Sequence, residues 1–380
     1  MNPKRLISVL CLLVIFVVCS KPLIQKTEIR GVWLTNVDSA VLDSRESIAE
    51  AMQFLADHNF NVVFPVVWND AKTIYKSPLM DSLFNVEIDP RFKGRDPLAE
   101  VIDEAHSRGI KVIAWFEYGF SSSHEKNGGM ILRKRRKWAA RDVDGNLLKK
   151  NGFEWMNAYH PEVQEFVSSL VLEVVKNYNV DGVQGDDRLP AQPIEGGYSD
   201  YTQFLYMATH QGISSPKDPR EPLWQRWRAD RLNAFAKKLY EDVKSIKPEI
   251  IVSWAPSIYP WSYDEYLQDW PEWIKNGYAD LVIPQNYRYS IDEYKNTLDD
   301  MVIDDPAISA SSCIIIPGIL MNVGDYIMED DYLLKALEYN REKGYSGEVF
   351  FFYEGLRKNE DELAKKLVKT YYQEEALLPF

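Results

Sequence analysis

The chain has 380 residues, 46% of them apolar, and a formal charge of −13 at pH 7. That length suits one large domain or two ordinary ones, and the acidic balance speaks against a nucleic-acid partner. The basic run Arg133–Lys137 is the local exception, and it reads as a solvated helix face.

Lys4 and Arg5 precede an apolar run from Leu6 to Val18, followed by Cys19-Ser20-Lys21. Residues 1–20 are therefore expected to be a signal peptide, since the run is short for a membrane span. Val17-Val18-Cys19 loosely resembles a bacterial lipobox, with Val18 where a small residue is usual. Lipidation at Cys19 would send the protein to the periplasm or outer membrane and be its one contact with a membrane. Apart from Cys11 and Cys19 only Cys313 remains, so no internal disulfide is expected. Cys313 opens an apolar strand pattern and reads as core.

From Glu28 the patterns alternate. A strand is predicted over Glu28–Asn36, then a helix over Ser44–His58 with Ile48, Met52 and Leu55 on one face and Ser44 as N-cap. A second strand, Asn61–Val67, leads into a long connection, Trp68–Arg95. Asp96-Pro97 starts a helix that ends at Gly109. The third strand is Ile110–Tyr118, and Gly119–Tyr159 is a second long connection. A helix from Pro161 to Tyr178 feeds the fourth strand, Val180–Asp187. Leu189–Glu221 is too long and irregular for an ordinary loop. Then come a helix (Trp224–Ile246), a strand (Ile250–Pro256) and a mostly helical stretch (Tyr263–Asn276). A strand (Asp280–Asn286) and a helix (Ile291–Met301) follow. The last units are a strand (Ile314–Leu320), a helix (Asp330–Lys343), a strand (Glu348–Tyr353) and a helix (Glu360–Tyr372). Eight short apolar strands, each followed by a helix, predict an α/β fold. It is a single (β/α)8 TIM barrel with long βα loops over residues 28–375. An open doubly wound sheet is disfavoured, because no glycine-rich phosphate turn follows the first strand.

In such a barrel the chemistry lies at the C-terminal ends of the strands. Those ends carry Asn36 and Asp38, Trp68, Glu117 and Tyr118, then Asp186, Asp187 and Arg188. Further on come Tyr259 and Trp261, Gln285 and Tyr287, and finally Glu354. Carboxylates and aromatics dominate, with almost no His or Cys. That argues against thiol or Ser-His catalysis and against a His-rich zinc site. No cofactor is expected; a carboxylate-only calcium or magnesium site stays open as an alternative. Paired carboxylates among aromatics suit glycoside hydrolysis, in which one acid protonates the leaving oxygen and another attacks or activates water. Side-chain alternation points Gln184 and Asp186 to the barrel axis, with Val183 and Gly185 to the helices. Asp186 or Asp187 is the expected nucleophile or base and Glu117 the expected acid, with Glu354 a weaker candidate. The competing reading is that the two aspartates cap the next segment or pair with Arg188. Asn36, Asp38, Trp68, Tyr118, Arg188, Tyr259, Trp261, Gln285 and Tyr287 are the candidate substrate contacts.

Three stretches carry a resemblance: Arg30–Asn36; Asn157–Val163 followed by Tyr178–Asp187; and Tyr259–Tyr287 with Asp269-Trp270, Trp273, Gly277 and Asp280. Together they are similar to the motifs of the bacterial family 10-like glycosyl hydrolases, a group distinct from the family 10 xylanases. The resemblance implies a TIM-barrel hydrolase of the cell envelope, often a lipoprotein, acting on peptidoglycan glycan strands. Two positions depart from the pattern. Glu117 stands where many members carry Asn, and Gly185 where many carry Phe. Polysaccharide or peptidoglycan glycan is the expected partner, and a non-catalytic carbohydrate-binding lipoprotein is the alternative.

Overall fold

A computed structural model describes residues 26–301 and 305–380. The expected signal segment and Cys19 fall outside the described residues. Eight parallel barrel strands are present. They are β1 (Ile29–Leu34), β2 (Val62–Pro65), β3 (Lys111–Phe116), β4 (Gly182–Gly185) and β5 (Ile251–Trp254). Then follow β6 (Leu281–Val282 and Gln285–Asn286), β7 (Ile314–Ile315 and Gly318–Leu320) and β8 (Gly347–Phe351). Each pairs with its neighbours in sequence, and β8 pairs with β1, so the ring closes. A TIM barrel is what the alternating pattern predicted.

Strands six and seven were expected to be continuous, and each is broken. Pro284 and Pro317 supply no amide proton, so the regular ladder lapses there. The first halves pair with each other, as do the second halves, and Gly318 donates to the Pro284 carbonyl at 2.9 Å between them.

The main outer helices are α1 (Arg45–Asp57), α2 (Pro97–His106), α3 (Pro161–Asn177), α4 (Pro222–Ile246), α5 (Trp270–Lys275), α6 (Ile291–Asp299), α7 (Asp330–Glu342) and α8 (Tyr353–Lys369). Their starts follow from local chemistry. Ser44 and Ser47 form a reciprocal cap on α1, and Asp96 caps α2 with Pro97 at its first position. Ile48, Ala51, Met52 and Leu55 form the buried face of α1.

Several connections hold more structure than their sequences indicate. Gly119–Tyr159 contains a three-stranded antiparallel sheet of Ser121–His124, Lys149–Lys150 and Phe153–Trp155. Leu189–Glu221, read as irregular, contains the helix Asp200–Thr209. The stretch expected to be mostly helical at Tyr263–Asn276 is two short helices, Trp261–Tyr266 and α5. Helix α8 begins at Tyr353, which was expected to end the last strand, and is broken at Lys358–Asp361. Cys313 is half-buried rather than core. The basic run lies on a short helix and a 3-10 turn with Arg133, Lys134, Arg136 and Lys137 exposed, as a solvated face requires.

The interior of the barrel is crossed by polar links. The indole of Trp33 donates to Gln184 Oε1 at 2.7 Å, and Gln184 Nε2 donates to Ser253 Oγ at 2.9 Å. All three residues are buried. The inward side of β4 is thus the side that alternation assigned. Replacing Gln184 by Met would strand a buried indole N–H and a buried hydroxyl. The expected loss is about 2–3 kcal/mol in chemical denaturation; a loss no larger than that of Ser253→Ala would refute the link.

Candidate active site

Strands β3 and β4 run side by side with Phe116 opposite Gly185. The next residues, Glu117 and Asp186, therefore leave the barrel at the same level. Arg188, two positions on, turns back over both. Its Nη2 donates to Glu117 Oε1 at 3.0 Å and to Asp186 Oδ2 at 3.3 Å. Its Nη1 lies 3.1 Å from Asp187 Oδ1, and its Nε donates to the Glu117 carbonyl at 3.0 Å. The guanidinium lies 4.5 Å from the ring centre of Phe153, which comes from the inserted sheet. One cation thus serves three carboxylates.

Neutral donors complete the cluster. Asn69 donates a short hydrogen bond to Glu117 Oε2. Gln285 donates to Asp186 Oδ1 at 2.5 Å and to the Ala255 carbonyl at 2.9 Å. Gln268 donates to the Asp186 carbonyl at 2.9 Å. Side-chain exposure rises from 4% at Asp186 through 18% at Glu117 to 27% at Asp187, so Asp186 is the inward acid.

Burial raises the pKa of the Asp186 carboxyl well above its ordinary range, and the charges of Asp187 and Glu117 add to this against the pull of Arg188. Burial likewise raises Glu117, with Arg188 and Asn69 opposing it. The Tyr287 phenol is pushed far up by burial and by the same three carboxylates. Three acids against one guanidinium would leave two net negative charges in a nearly dry site. Glu117 and Asp186 therefore hold their protons more tightly than free carboxyls do.

A cavity of about 1060 Å³ opens over Glu117 and Tyr118. Asn36 and Asp38 line it from the end of β1, and Asn69 from beyond β2. A second cavity, about 530 Å³, is lined by Tyr259, Trp261, Gln285, Tyr287 and Arg288. The structure thus brings all but two of the expected residues to the cluster or to these cavities. Trp68 is fully buried, donates to the Gly119 carbonyl at 3.1 Å and packs on Phe166, so it supports the wall from behind. Glu354 accepts from Ser39 at 2.6 Å in the first turn of α8, apart from the three acids. A carboxylate there meets the positive end of a helix. Gln268 and Phe153 touch the cluster but were not anticipated. Phe153 sits in a connection whose sequence carries no period to place it, and Gln268 in a stretch expected to be mostly helical, where it falls between two short helices.

The loop beyond β3 is fixed by a further carboxylate. Glu154 accepts from Ser123 Oγ and from the amides of Lys126, Asn127 and Gly128 at 3.1, 2.9 and 3.1 Å. Burial pushes its carboxyl up, but these donors outweigh that and hold it at about 2. This loop presents His124 and Lys126 to the larger cavity.

A closed barrel that gathers acids, amides and aromatics at the C-terminal mouth has the architecture of the glycoside-hydrolase class of TIM barrels. The chain belongs to the glycosyl hydrolase-like 10 family, whose profile matches residues 28–309. It is 26% identical over 290 residues to the glycosyl hydrolase DigH of Escherichia coli K12, covering 68% of this chain and 62% of that protein. It is 27% identical over 299 residues to the glycosyl hydrolase YngK of Bacillus subtilis, covering 68% and 54%. The chain thus matches less than two thirds of the length of either relative. Among solved structures, the glycoside hydrolase domain of PgaB (BpsB) from Bordetella bronchiseptica aligns with a TM-score of 0.62 and 14% identity, over 90% of this chain and 99% of that one. The α-L-fucosidase isoenzyme 2 of Paenibacillus thiaminolyticus aligns at 0.65 and 16%, over 91% and 49%. At such identities the likeness is one of fold.

Two consequences follow for pH. Arg188→Met removes the one cation, so the folded-state pKa values of Glu117 and Asp186 climb further above their unfolded values. Stability is then lost as pH rises through them. The variant should unfold about 3–5 kcal/mol more easily than wild type at pH 8 and approach it near pH 4. A deficit independent of pH would contradict the charge argument. Glu154 behaves oppositely, because its folded pKa is depressed. Its contribution is present above the unfolded value of 4.5 and lost as pH falls towards about 2. Glu154→Gln should therefore be destabilised at pH 7 and converge with wild type near pH 2; parallel melting curves across that window would count against it.

Proposed function

We propose that the chain is a glycoside hydrolase that cleaves O-glycosidic bonds of a polysaccharide or a peptidoglycan glycan strand, with Glu117 and Asp186 as the reacting pair. The observation that carries this reading is that both carboxylates rest on the same nitrogen of Arg188, at 3.0 and 3.3 Å. Two oxygens so placed lie at most 6.3 Å apart, which favours the roughly 5–5.5 Å of retaining pairs over the roughly 6.5–9.5 Å of inverting ones. Kinship with proteins named glycosyl hydrolases supports the same reading.

In this mechanism Glu117, kept protonated by burial and open to the larger cavity, gives its proton to the glycosidic oxygen. Asp186 reacts as its anion, the form that Arg188 and Gln285 favour against burial and its charged neighbours; it attacks the anomeric carbon, the leaving sugar departs with the proton from Glu117, and a glycosyl ester forms. Water then enters, Glu117 takes its proton, and the ester is released with the original anomeric configuration. Asp187 stays paired with Arg188 and tunes the pair. Export behind residues 1–20 and a lipid on Cys19 would put this activity at the cell envelope.

A second reading is a carbohydrate-binding protein without turnover. One observation favours it: every acid of the cluster already has Arg188 as partner. Glu117→Gln, Asp186→Asn and Asp187→Asn, assayed by reducing-end release on purified peptidoglycan and on a polysaccharide panel, separate the two. The hydrolase reading expects the first two to lower kcat by roughly 10²–10⁴ and the third by less. It also expects an alkaline limb of the pH profile, set by Glu117, that disappears in Glu117→Gln. Glycan binding by the wild type without release of reducing ends would establish the second reading.

A further inference from the structure

Both cavities border the acid cluster, one directly and one through a residue bonded to it. Glu117 lines the larger one, and Gln285, which holds Asp186 at 2.5 Å, lines the smaller. The partition between them is the stacked pair Tyr287 and Phe351, with ring centres 5.1 Å apart and planes 28° from parallel. Tyr287 faces the smaller cavity and Phe351 the larger. A bond cleaved at the acid pair would therefore have room for sugar on both of its sides.

The smaller cavity also has the chemistry of a sugar site. Trp261 is a large apolar side chain left 49% exposed, and its ring is backed by Tyr266 at 5.4 Å. Tyr259 is braced edge-on by Trp270 at 6.1 Å. Flat rings held from behind present a face at little entropic cost. Arg288 lines the same cavity. Its Nη1 donates to the Tyr287 carbonyl at 2.8 Å and its Nε to Thr297 Oγ1 at 2.9 Å. No carboxylate of the described residues lies within 4.0 Å of it. Its remaining N–H groups are donors for sugar oxygens.

We propose that this second cavity is a sugar subsite across the scissile bond from the larger cavity, with Trp261 as its stacking platform. This rests on the hydrolase reading above. The test uses peptide-free peptidoglycan glycan strands, both long and sized from two to eight sugars, with wild type and Trp261→Ala. The loss of kcat/KM in Trp261→Ala should grow with substrate length, by tenfold or more between the shortest and longest. Binding of the same strands to Glu117→Gln, alone and combined with Trp261→Ala, should weaken in the double variant. If the Trp261→Ala effect is the same at every length, the subsite is wrong while the hydrolase reading stands. If no strand is bound or cleaved at any length, both are overturned.

Discussion

The mouth of this barrel depends on one guanidinium. Arg188 is itself only 12% exposed, and it neutralises Glu117, Asp186 and Asp187 while its own plane lies against Phe153. Burying a single carboxylate without a partner costs several kcal/mol, and three would be untenable. The cluster is stable because the cation is multiply bonded and because Asn69 and Gln285 donate to the Glu117 and Asp186 carboxylates and Gln268 to the Asp186 carbonyl. The same arrangement leaves the acids short of full neutralisation. Burial and that shortfall together raise the proton affinity of Glu117 and Asp186. Structural demand and chemical usefulness have one source here.

The loops serve that cluster from outside the barrel. Phe153 reaches Arg188 only because the inserted three-stranded sheet folds over the end of β3, and Glu154, the next residue, pins the neighbouring turn through three backbone amides. The long connection after β4 is tied down in another way. The buried Arg228 of α4 donates to the carbonyls of Ile194, Gly196 and Pro219 and stacks on Trp224. A cation spread over carbonyls replaces the regular hydrogen bonding this stretch lacks. Both anchors are charges satisfied by backbone, so each converts an irregular segment into a fixed wall.

How much of this was legible in the sequence follows from the kind of signal involved. Apolar runs of strand length alternating with helical periods carried the barrel, because strands buried on both faces and amphipathic helices leave strong marks. Alternation along β4 placed Gln184 and Asp186 inward, since the period of two is geometric. The breaks in β6 and β7 were readable in principle from Pro284 and Pro317, which lie inside otherwise apolar runs. Trp68 and Glu354 were collected because they follow strands, but position along the chain does not give side-chain direction. The indole of Trp68 turns back to Phe166, and Glu354 has already entered α8. Gln268 and Phe153 were out of reach. Each meets the cluster from a loop, and long-range contacts of that kind leave no local pattern.

Two glycines explain how Arg188 gets into position. Gly119, just past β3, has φ +48°, and a Cβ there would lie 2.1 Å from the Arg188 carbonyl oxygen. Only glycine allows the two strand ends to come so close, and Phe120 then donates its amide to that same carbonyl at 3.0 Å. Gly185 is equally confined: a Cβ would meet the Leu189 carbonyl at 2.5 Å and the Trp254 ring at 2.6 Å. The Asp186–Leu189 turn therefore folds tightly onto the end of β4, with Leu189 donating to the Asp186 carbonyl at 3.0 Å. In this chain a larger residue at 185 would have to displace Trp254 or open that turn, and with the turn would go the guanidinium. Gly185 is thus coupled to the indole on the neighbouring strand.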